Sequence, residues 1–146
     1  MLAYVEGVNG AVRQQSAIAL VQALARGGTL VPVQALGERY PVLVRKSGWP
    51  RDQARAAILT WRDAFPVAPT TETAMIAATD LAADHRLGIW DSVMVAVAAE
   101  VGCRLLLSED LKDGFSWRGV TVVNPFAAMR HPLLGALLGE TGPKEP

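Results

Sequence analysis

Three acids, Glu38, Asp91 and Asp110, stand at positions from which one kind of chemistry would follow if the chain brought them together. Glu38 lies about one helical turn past a run ending at Val33, Asp91 opens an apolar helical stretch, and Asp110 follows Leu105-Leu106-Leu107 closely. In an open parallel sheet, sites form outside the carboxyl ends of the strands. All three acids are placed to reach such a rim. Converging carboxylates repel one another unless a cation joins them, and an oxygen-only donor set suits Mg²⁺ or Mn²⁺. An ion held this way activates water and stabilises the charge of a phosphodiester under attack. Each acid also has an ordinary reading. Asp91 serves equally as a helix cap, Glu38 as a solvated helix acid and Asp110 as a turn residue. Spacing alone does not separate these readings.

Other chemistry-bearing residues are weaker candidates. Ser108 is either a hydrogen-bonding support for the Asp110 loop or an ordinary turn serine, and Asp113 reads as a further acid of that loop. His85 and His131 have neither metal-like nor triad-like spacing and read as structural or exposed. Asp80 and Asp84, four apart on one helix, read as a solvated face. Gly27-Gly28 is no phosphate loop, since no lysine followed by serine or threonine comes after it. Arg39, Arg45, Lys46, Arg51 and Arg55 gather on two adjacent helices, where they either guide a phosphate backbone or keep the surface soluble.

The elements that must position the acids follow from periodicity. From Ser92 to Val101 the only charge is Glu100, so this helix is packed on most sides. Gly102 stands where a helix end needs positive φ, and Arg104 to Leu107 has the apolar character of a buried parallel strand. Upstream, an amphipathic helix is expected over residues 11–26, stopped by Gly27-Gly28, then a strand over 29–33 and a helix over 34–46. Pro41 should kink that helix or shift its start. Further helices are expected over 51–61 and 72–86, with a short strand within 64–68 compromised by Pro66. A polar loop over 111–119 leads to a β-branched strand over 120–123; residues 127–139 are weakly helical and 140–146 read as a disordered tail. Strands separated by helices imply an α/β fold, a parallel sheet with helices on both faces.

Composition limits the options. With 146 residues, 51% of them hydrophobic, the chain can bury one proper core and still leave apolar surface for a partner. Zero net charge argues against a protein held to nucleic acid by basic charge alone. The single cysteine, Cys103, cannot form an internal disulfide, which suits a reducing cytoplasm. No apolar run is long enough to span a bilayer, and the N-terminus lacks the pattern of a signal peptide.

Four motifs in order resemble the PIN domain family, in its VapC-type branch. Val33-Gln34-Ala35-Leu36-Gly37-Glu38-Arg39-Tyr40 looks like that family's second-helix motif, and Ile89-Trp90-Asp91-Ser92-Val93-Met94-Val95 is similar to its Trp-Asp-Ala-Leu-Ile-like helix. Leu106-Leu107-Ser108-Glu109-Asp110-Leu111 resembles its Thr/Ser-Glu-Asp-Leu loop, and Val122-Val123-Asn124-Pro125-Phe126 its closing strand. The resemblance implies a three-layer α/β/α domain over residues 1–126 with a C-terminal extension over 127–146. It implies a cytoplasmic, metal-dependent endoribonuclease, the toxin of a toxin–antitoxin pair, cutting RNA with metal-activated water. By the same resemblance Glu38, Asp91 and Asp110 are the acidic site residues, with Mg²⁺ or Mn²⁺ bound there and Asp91 its most direct ligand. Ser108 supports the loop, and a VapB-type antitoxin and a homodimer are implied as partners.

One departure stands out. The family pattern begins with a strand ending in Asp-Thr/Ser-Asn-Val/Ile-Leu-Ala/Val-Tyr, and Met1-Leu2-Ala3-Tyr4 aligns with its last four positions. The first strand and its aspartate are therefore expected to be absent, as from a start assigned too late. Metal binding by the chain as given is then expected to be weak. The alternative is a truncated, inactive PIN domain that acts as an antitoxin-binding module. A phosphoacceptor signalling domain fits less well, because the last strands end in Leu107-Ser108 and Val123-Asn124 rather than in aspartate and lysine.

Overall fold

The computed structural model describes Leu20, Gln22 and residues 28–127, 129, 131–137 and 139. The helix expected over 11–26 lies outside the described residues except for Leu20 and Gln22, both helical. The absent first strand, which turns on Met1 to Tyr4, and the tail over 140–146 also lie outside them. The chain divides into two compact units, Met1–Glu72 and Thr73–Pro146.

In the first unit, β1 (Val31–Pro32) runs into α1 (Val33–Pro41), and α2 (Arg51–Ala64) leads to β2 (Val67–Ala68). The two strands pair in parallel, with Val31 opposite Val67 and Pro32 opposite Ala68. Both are shorter than the apolar runs around them. Prolines at 32 and 66 carry no N–H to extend the ladder. Leu36, Trp61 and Phe65 form one buried cluster here, packed against by the partly buried Val31, Ile58 and Val67. The Trp61 and Phe65 rings stack 5.7 Å apart at 14°.

Pro41 does not move the start of α1, which begins at Val33. It closes the α-helical register, and Val42–Lys46 continues as a π-helical turn. The Ser47 N–H reaches back five residues to the Val42 carbonyl at 3.2 Å. Proline lacks the donor that would have bonded the Gly37 carbonyl, so the ladder is already interrupted where the wider turn begins. Gly48, at φ +67, then takes the left-handed conformation that ends the turn.

In the second unit α3 (Glu72–His85, its first residue at the boundary) buries Ala74, Ala78 and Leu81, one helical face. α4 (Ile89–Glu100) buries Ser92, Val93, Val95, Ala96, Val97 and Ala98. Its end is a Schellman motif: Gly102, at φ +76, donates to Ala99 at 3.1 Å, and Cys103 donates to Ala98 at 2.9 Å. This releases the chain into β3 (Leu105–Leu107), which pairs in parallel with β5 (Val120–Val123), Leu105 opposite Thr121 and Leu107 opposite Val123. Leu81, Val95, Ala98, Leu106, Leu111, Val120 and Val122 make one buried cluster between helices and sheet.

The segment expected to be a polar loop, 111–119, contains a strand. β4 (Ser116–Trp117) pairs antiparallel with β5 across a two-residue turn, and the sheet order is β3-β5-β4. Arg118 and Gly119 both have positive φ, +45 and +84, as a primed hairpin turn requires. The usual signal for that turn is Asn-Gly or Asp-Gly. An arginine in the first position hides it. α5 (Pro132–Leu137) follows within the weakly helical stretch and buries Leu134.

Candidate functional site

Asp91 is the third residue of α4, not its cap. Gly88 holds the cap position and makes no side-chain cap bond. The turn is secured from below instead. Ser92 is fully buried, and both its amide, at 3.0 Å, and its hydroxyl, at 2.9 Å, donate to the Gly88 carbonyl. Asp91 Oδ2 lies back over Gly88, 3.6 Å from where a β-carbon on that residue would stand. A negative side chain in a first helical turn also faces the positive end of the helix dipole.

Asp110 comes from the other side of the β3 crossover. The Ser108 amide donates to the Val123 carbonyl at 3.0 Å, which continues the β3–β5 pairing into the loop. The Ser108 hydroxyl then accepts from the amides of Asp110 at 3.2 Å and Leu111 at 3.4 Å. Leu111 is buried in the core cluster, so the loop is pinned on both sides of Asp110. A second tie closes the same end of the sheet: Asp113 Oδ1 accepts the Asn124 amide at 2.8 Å, and Asn124 Oδ1 accepts that of Phe126 at 2.9 Å. Asp113 thus has a structural task. So do the histidines: His85 meets Phe115 edge-on at 5.3 Å, and His131 Nδ1 accepts the Leu133 amide at the start of α5.

The structure brings Asp91 and Asp110 within electrostatic reach of each other. The Asp91 carboxyl titrates above its ordinary range, first because partial burial disfavours its charge and second because Asp110 adds a like charge nearby. Two carboxylates in this relation form an oxygen-only pair whose repulsion a hard dication relieves. Mg²⁺ is commonly held by one or two carboxylates, with water completing its shell. The residues present fit such an ion. Among the described residues, no three His, Cys, Asp or Glu side chains gather into a group that could hold a metal.

Glu38 belongs to the first unit. It is exposed on α1, and its Oε1 accepts a hydrogen bond from Gln34 Nε2 one turn earlier at 2.8 Å. Beside it, Val33, Leu36, Gly37 and Tyr40 of α1 face Arg51, Asp52, Arg55 and Ile58 of α2 across an open groove of about 560 Å³. The basic residues noted in the sequence divide here. Arg45, Lys46, Arg51 and Arg55 are exposed, but Arg39 is only 4% exposed and does not offer its charge to a phosphate backbone. Its position explains this: Arg39 follows Leu36 by three residues and shares its inner side of the helix. Asp80 and Asp84 are exposed on α3, a solvated face as expected.

Two features of the site escaped sequence reasoning. One is the groove, which depends on how α1 and α2 pack. The other is Trp90, 57% exposed at the start of a helix otherwise deeply buried. Its signal is positional: a residue in the first turn precedes the part of the helix that the sheet covers.

Compared with known families, residues 7–115 match the model of the PIN domain. The match accords with the α/β fold expected, a three-layer PIN-like arrangement of helices and parallel sheet. PIN is a nuclease-type fold, and its members are generally metal-dependent nucleases. No curated protein matches the chain.

Proposed function

Given that the chain belongs to the PIN domain family, we propose that it is a metal-dependent endoribonuclease of the VapC toxin type, acting on RNA in the cytoplasm. The observation that carries this reading is the pairing of Asp91 with Asp110, two carboxylates near enough for one to raise the pKa of the other. Nothing in the packing of α4 or β3 requires two like charges to approach, whereas a dication between them would.

Asp91 and Asp110 would hold the ion, Mg²⁺ or Mn²⁺, and Glu38 would complete the acidic set. When bound, a divalent cation supplies charge stabilisation to the phosphodiester and lowers the pKa of attacking water. The chain's own residues set the geometry. Ser92 ties the first turn of α4 from beneath, which steadies the backbone that presents Asp91. Ser108 holds the Asp110 amide and so restricts where that carboxylate swings. Two carboxylates on stiff supports keep the separation that an ion needs and lose little freedom on binding it.

The partners implied are a VapB-type antitoxin and a second copy of the chain. The α1–α2 groove supports the first. It offers apolar walls at Val33, Leu36 and Ile58 with Arg51 and Arg55 beside them, a seat for an amphipathic segment carrying acidic residues.

The test is cleavage of a mixed RNA pool with Mn²⁺ by the wild-type chain, by Asp91→Asn, and by wild type with excess chelator. The expected result is discrete products from the wild type alone. Products that persist in Asp91→Asn, or a folded wild type that leaves every RNA intact, would overturn the reading.

A further inference from the structure

We propose that Asn124 positions the substrate at the site, its side-chain amide donating a hydrogen bond to a phosphate oxygen of the RNA that Asp91 and Asp110 serve; this rests on the nuclease reading above. Alternation along the strands sets its side, since successive strand residues point to opposite faces of a sheet. Leu106 of β3 and Val122 of β5 pack in one buried cluster with Val95 and Ala98 of α4. Two residues further along each strand, Ser108 and Asn124 come round to that same face at the carboxyl ends. The pairing extends this far, because the Ser108 amide still bonds the Val123 carbonyl. On α4, Asp91 stands four residues before Val95 and seven before Ala98, so the three share one side of the helix. A helix that turns directly into a strand and packs on it runs back over that strand, which sets the start of α4 above the strand ends. Asp91, Ser108 and Asn124 therefore meet at one corner of the rim, beside the loop that carries Asp110.

The bonds already made at Asn124 decide which end of its amide is available. A backbone N–H can only donate, so the atom that takes the Phe126 amide at 2.9 Å is the side-chain oxygen, Oδ1. The Asn124 backbone amide is held by Asp113 at 2.8 Å. Neither bond uses the two N–H groups of Nδ2. An asparagine ahead of a proline is an ordinary turn residue, but that task is filled by Oδ1 and gives the nitrogen nothing to do. Donors are what the rest of the site lacks: ionised Asp91, Asp110 and Glu38 present acceptor oxygens alone. A dication offsets their charge, yet a phosphodiester has two non-bridging oxygens, and a preorganised donor stabilises the one the ion leaves uncovered. A neutral amide held by a turn supplies it without the loose stem of a lysine.

The experiment compares wild type, Asn124→Asp and Asn124→Ser. Aspartate and serine each keep an oxygen for the Phe126 amide, so thermal unfolding of the three proteins should nearly coincide. Aspartate turns the donor into a charged acceptor; serine withdraws it from reach and adds no charge. Single-turnover cleavage of a labelled oligoribonucleotide with Mn²⁺ gives the half-saturating enzyme concentration and the maximal rate, and fluorescence anisotropy with Ca²⁺ in place of Mn²⁺ gives Kd. From the worth of a hydrogen bond to a charged group, Asn124→Ser should raise the half-saturating concentration and Kd about tenfold, and Asn124→Asp by more. Mn²⁺ titration followed by electron paramagnetic resonance, without RNA, reads the placement directly. A third carboxylate at this corner should tighten Mn²⁺ binding about tenfold in Asn124→Asp, because ligand charge sets affinity, and serine should leave it unchanged. Wild-type RNA affinity in both variants would overturn the proposal and leave Asn124 a turn residue. Mn²⁺ affinity unmoved by aspartate would overturn it too, since the side chain would then stand away from the pair. If wild type binds RNA and cuts none, the nuclease reading falls, and the role of Asn124 stands when the aspartate variant still weakens RNA binding and tightens Mn²⁺. A wild type that takes up neither RNA nor Mn²⁺ overturns both.

Discussion

In the first unit Glu38 stands on an open helical turn, steadied by Gln34 and free to move with its own side chain. In the second, Asp91 stands on a helix with six buried residues, over a serine that closes its first turn, with Asp110 tied opposite by Ser108. The contrast extends to the cores. One buried cluster of the first unit, Leu36, Trp61 and Phe65, stands beside an open groove; one of the second joins two helices and a sheet through Leu81, Val95, Leu106 and Val122 among others. A carboxylate on a stiff support can be held where its charge is unwelcome, and that unwelcome charge is what makes a metal ligand. An exposed carboxylate relaxes into water and stores nothing.

If that contrast is functional, the largest effect follows from removing the constrained acids. Asp91→Asn and Asp110→Asn should each lower the RNA cleavage rate about a thousandfold, the upper range for losing one preorganised charge-stabilising group. Glu38→Gln should cost about tenfold, as partners one step removed from a metal do. Single-turnover rates at saturating Mn²⁺ measure all three. Equal losses for the three variants would mean that the constrained and the exposed acids act alike.

The cores offer the next comparison. Leu81 is fully buried between helix and sheet, whereas Leu36 is buried but lines the groove. Truncation of Leu81 leaves a closed void, so Leu81→Ala should destabilise by about 3–4 kcal/mol. At Leu36 the space opens to water and the walls can relax, so Leu36→Ala should fall near 2 kcal/mol. Urea titrations at unchanged m value read both. A larger loss at Leu36 would mean that the cluster beside the groove is the better packed one.

Much of this contrast was legible beforehand, and the parts that were not share a cause. The uncharged run from Ser92 to Ala99 announced a buried helix, Gly102 its left-handed end, and Val120 to Val123 a strand with the observed bounds. The approach of Asp91 to Asp110 was expected by the same logic, since helix starts and strand ends share one rim in a parallel crossover. What stayed hidden depends on a choice made by the tertiary structure. Ser116-Trp117 reads as loop until β5 offers it an edge. Pro41 announces a break but not the π-helical turn that absorbs it. Arg39 is charged in the sequence and buried in the fold. Periodicity reports which side of an element is apolar; it does not report which neighbour arrives to cover an exception.

Backbone strain separates the units at a smaller scale. The left-handed position that ends the π-helical turn of the first unit is Gly48, at φ +67, whereas α3 in the second ends on Arg86 at φ +55. A side chain pays roughly 1 kcal/mol to sit there, so Arg86→Gly should stabilise by up to ~1 kcal/mol and Gly48→Ala should destabilise by about as much. Arg118, at φ +45, should respond less than Arg86, because its guanidinium lies 4.3 Å over the Trp117 ring and glycine would forfeit that contact, worth ~0.5–1 kcal/mol. A destabilised Arg86→Gly would show that the arginine makes up for its strain through contacts of its own.

The smallest effect addresses the constrained acid directly, through its influence on folding. Burial and Asp110 raise the Asp91 pKa above its ordinary 3.8, so the folded chain releases that proton at higher pH than the unfolded chain does. Well below 3.8 the group is protonated in both states and has no effect on stability. As pH rises, the unfolded chain ionises first, and the native state loses stability until its own Asp91 has ionised; the loss then persists to neutral pH. The neutral amide introduced by Asp91→Asn would resemble the protonated acid at every pH. Metal-free Asp91→Asn should therefore melt slightly higher than wild type at pH 7, with the gap closing in acid. Adding Mg²⁺ should raise the wild-type melting temperature and leave the variant nearly unmoved, because the ion stabilises the charged pair that only the wild type retains. A variant less stable than wild type at neutral pH, without metal, would mean that the Asp91 carboxylate contributes to folding through its place at the helix N-terminus. In that case the pairing with Asp110 imposes no cost for an ion to relieve.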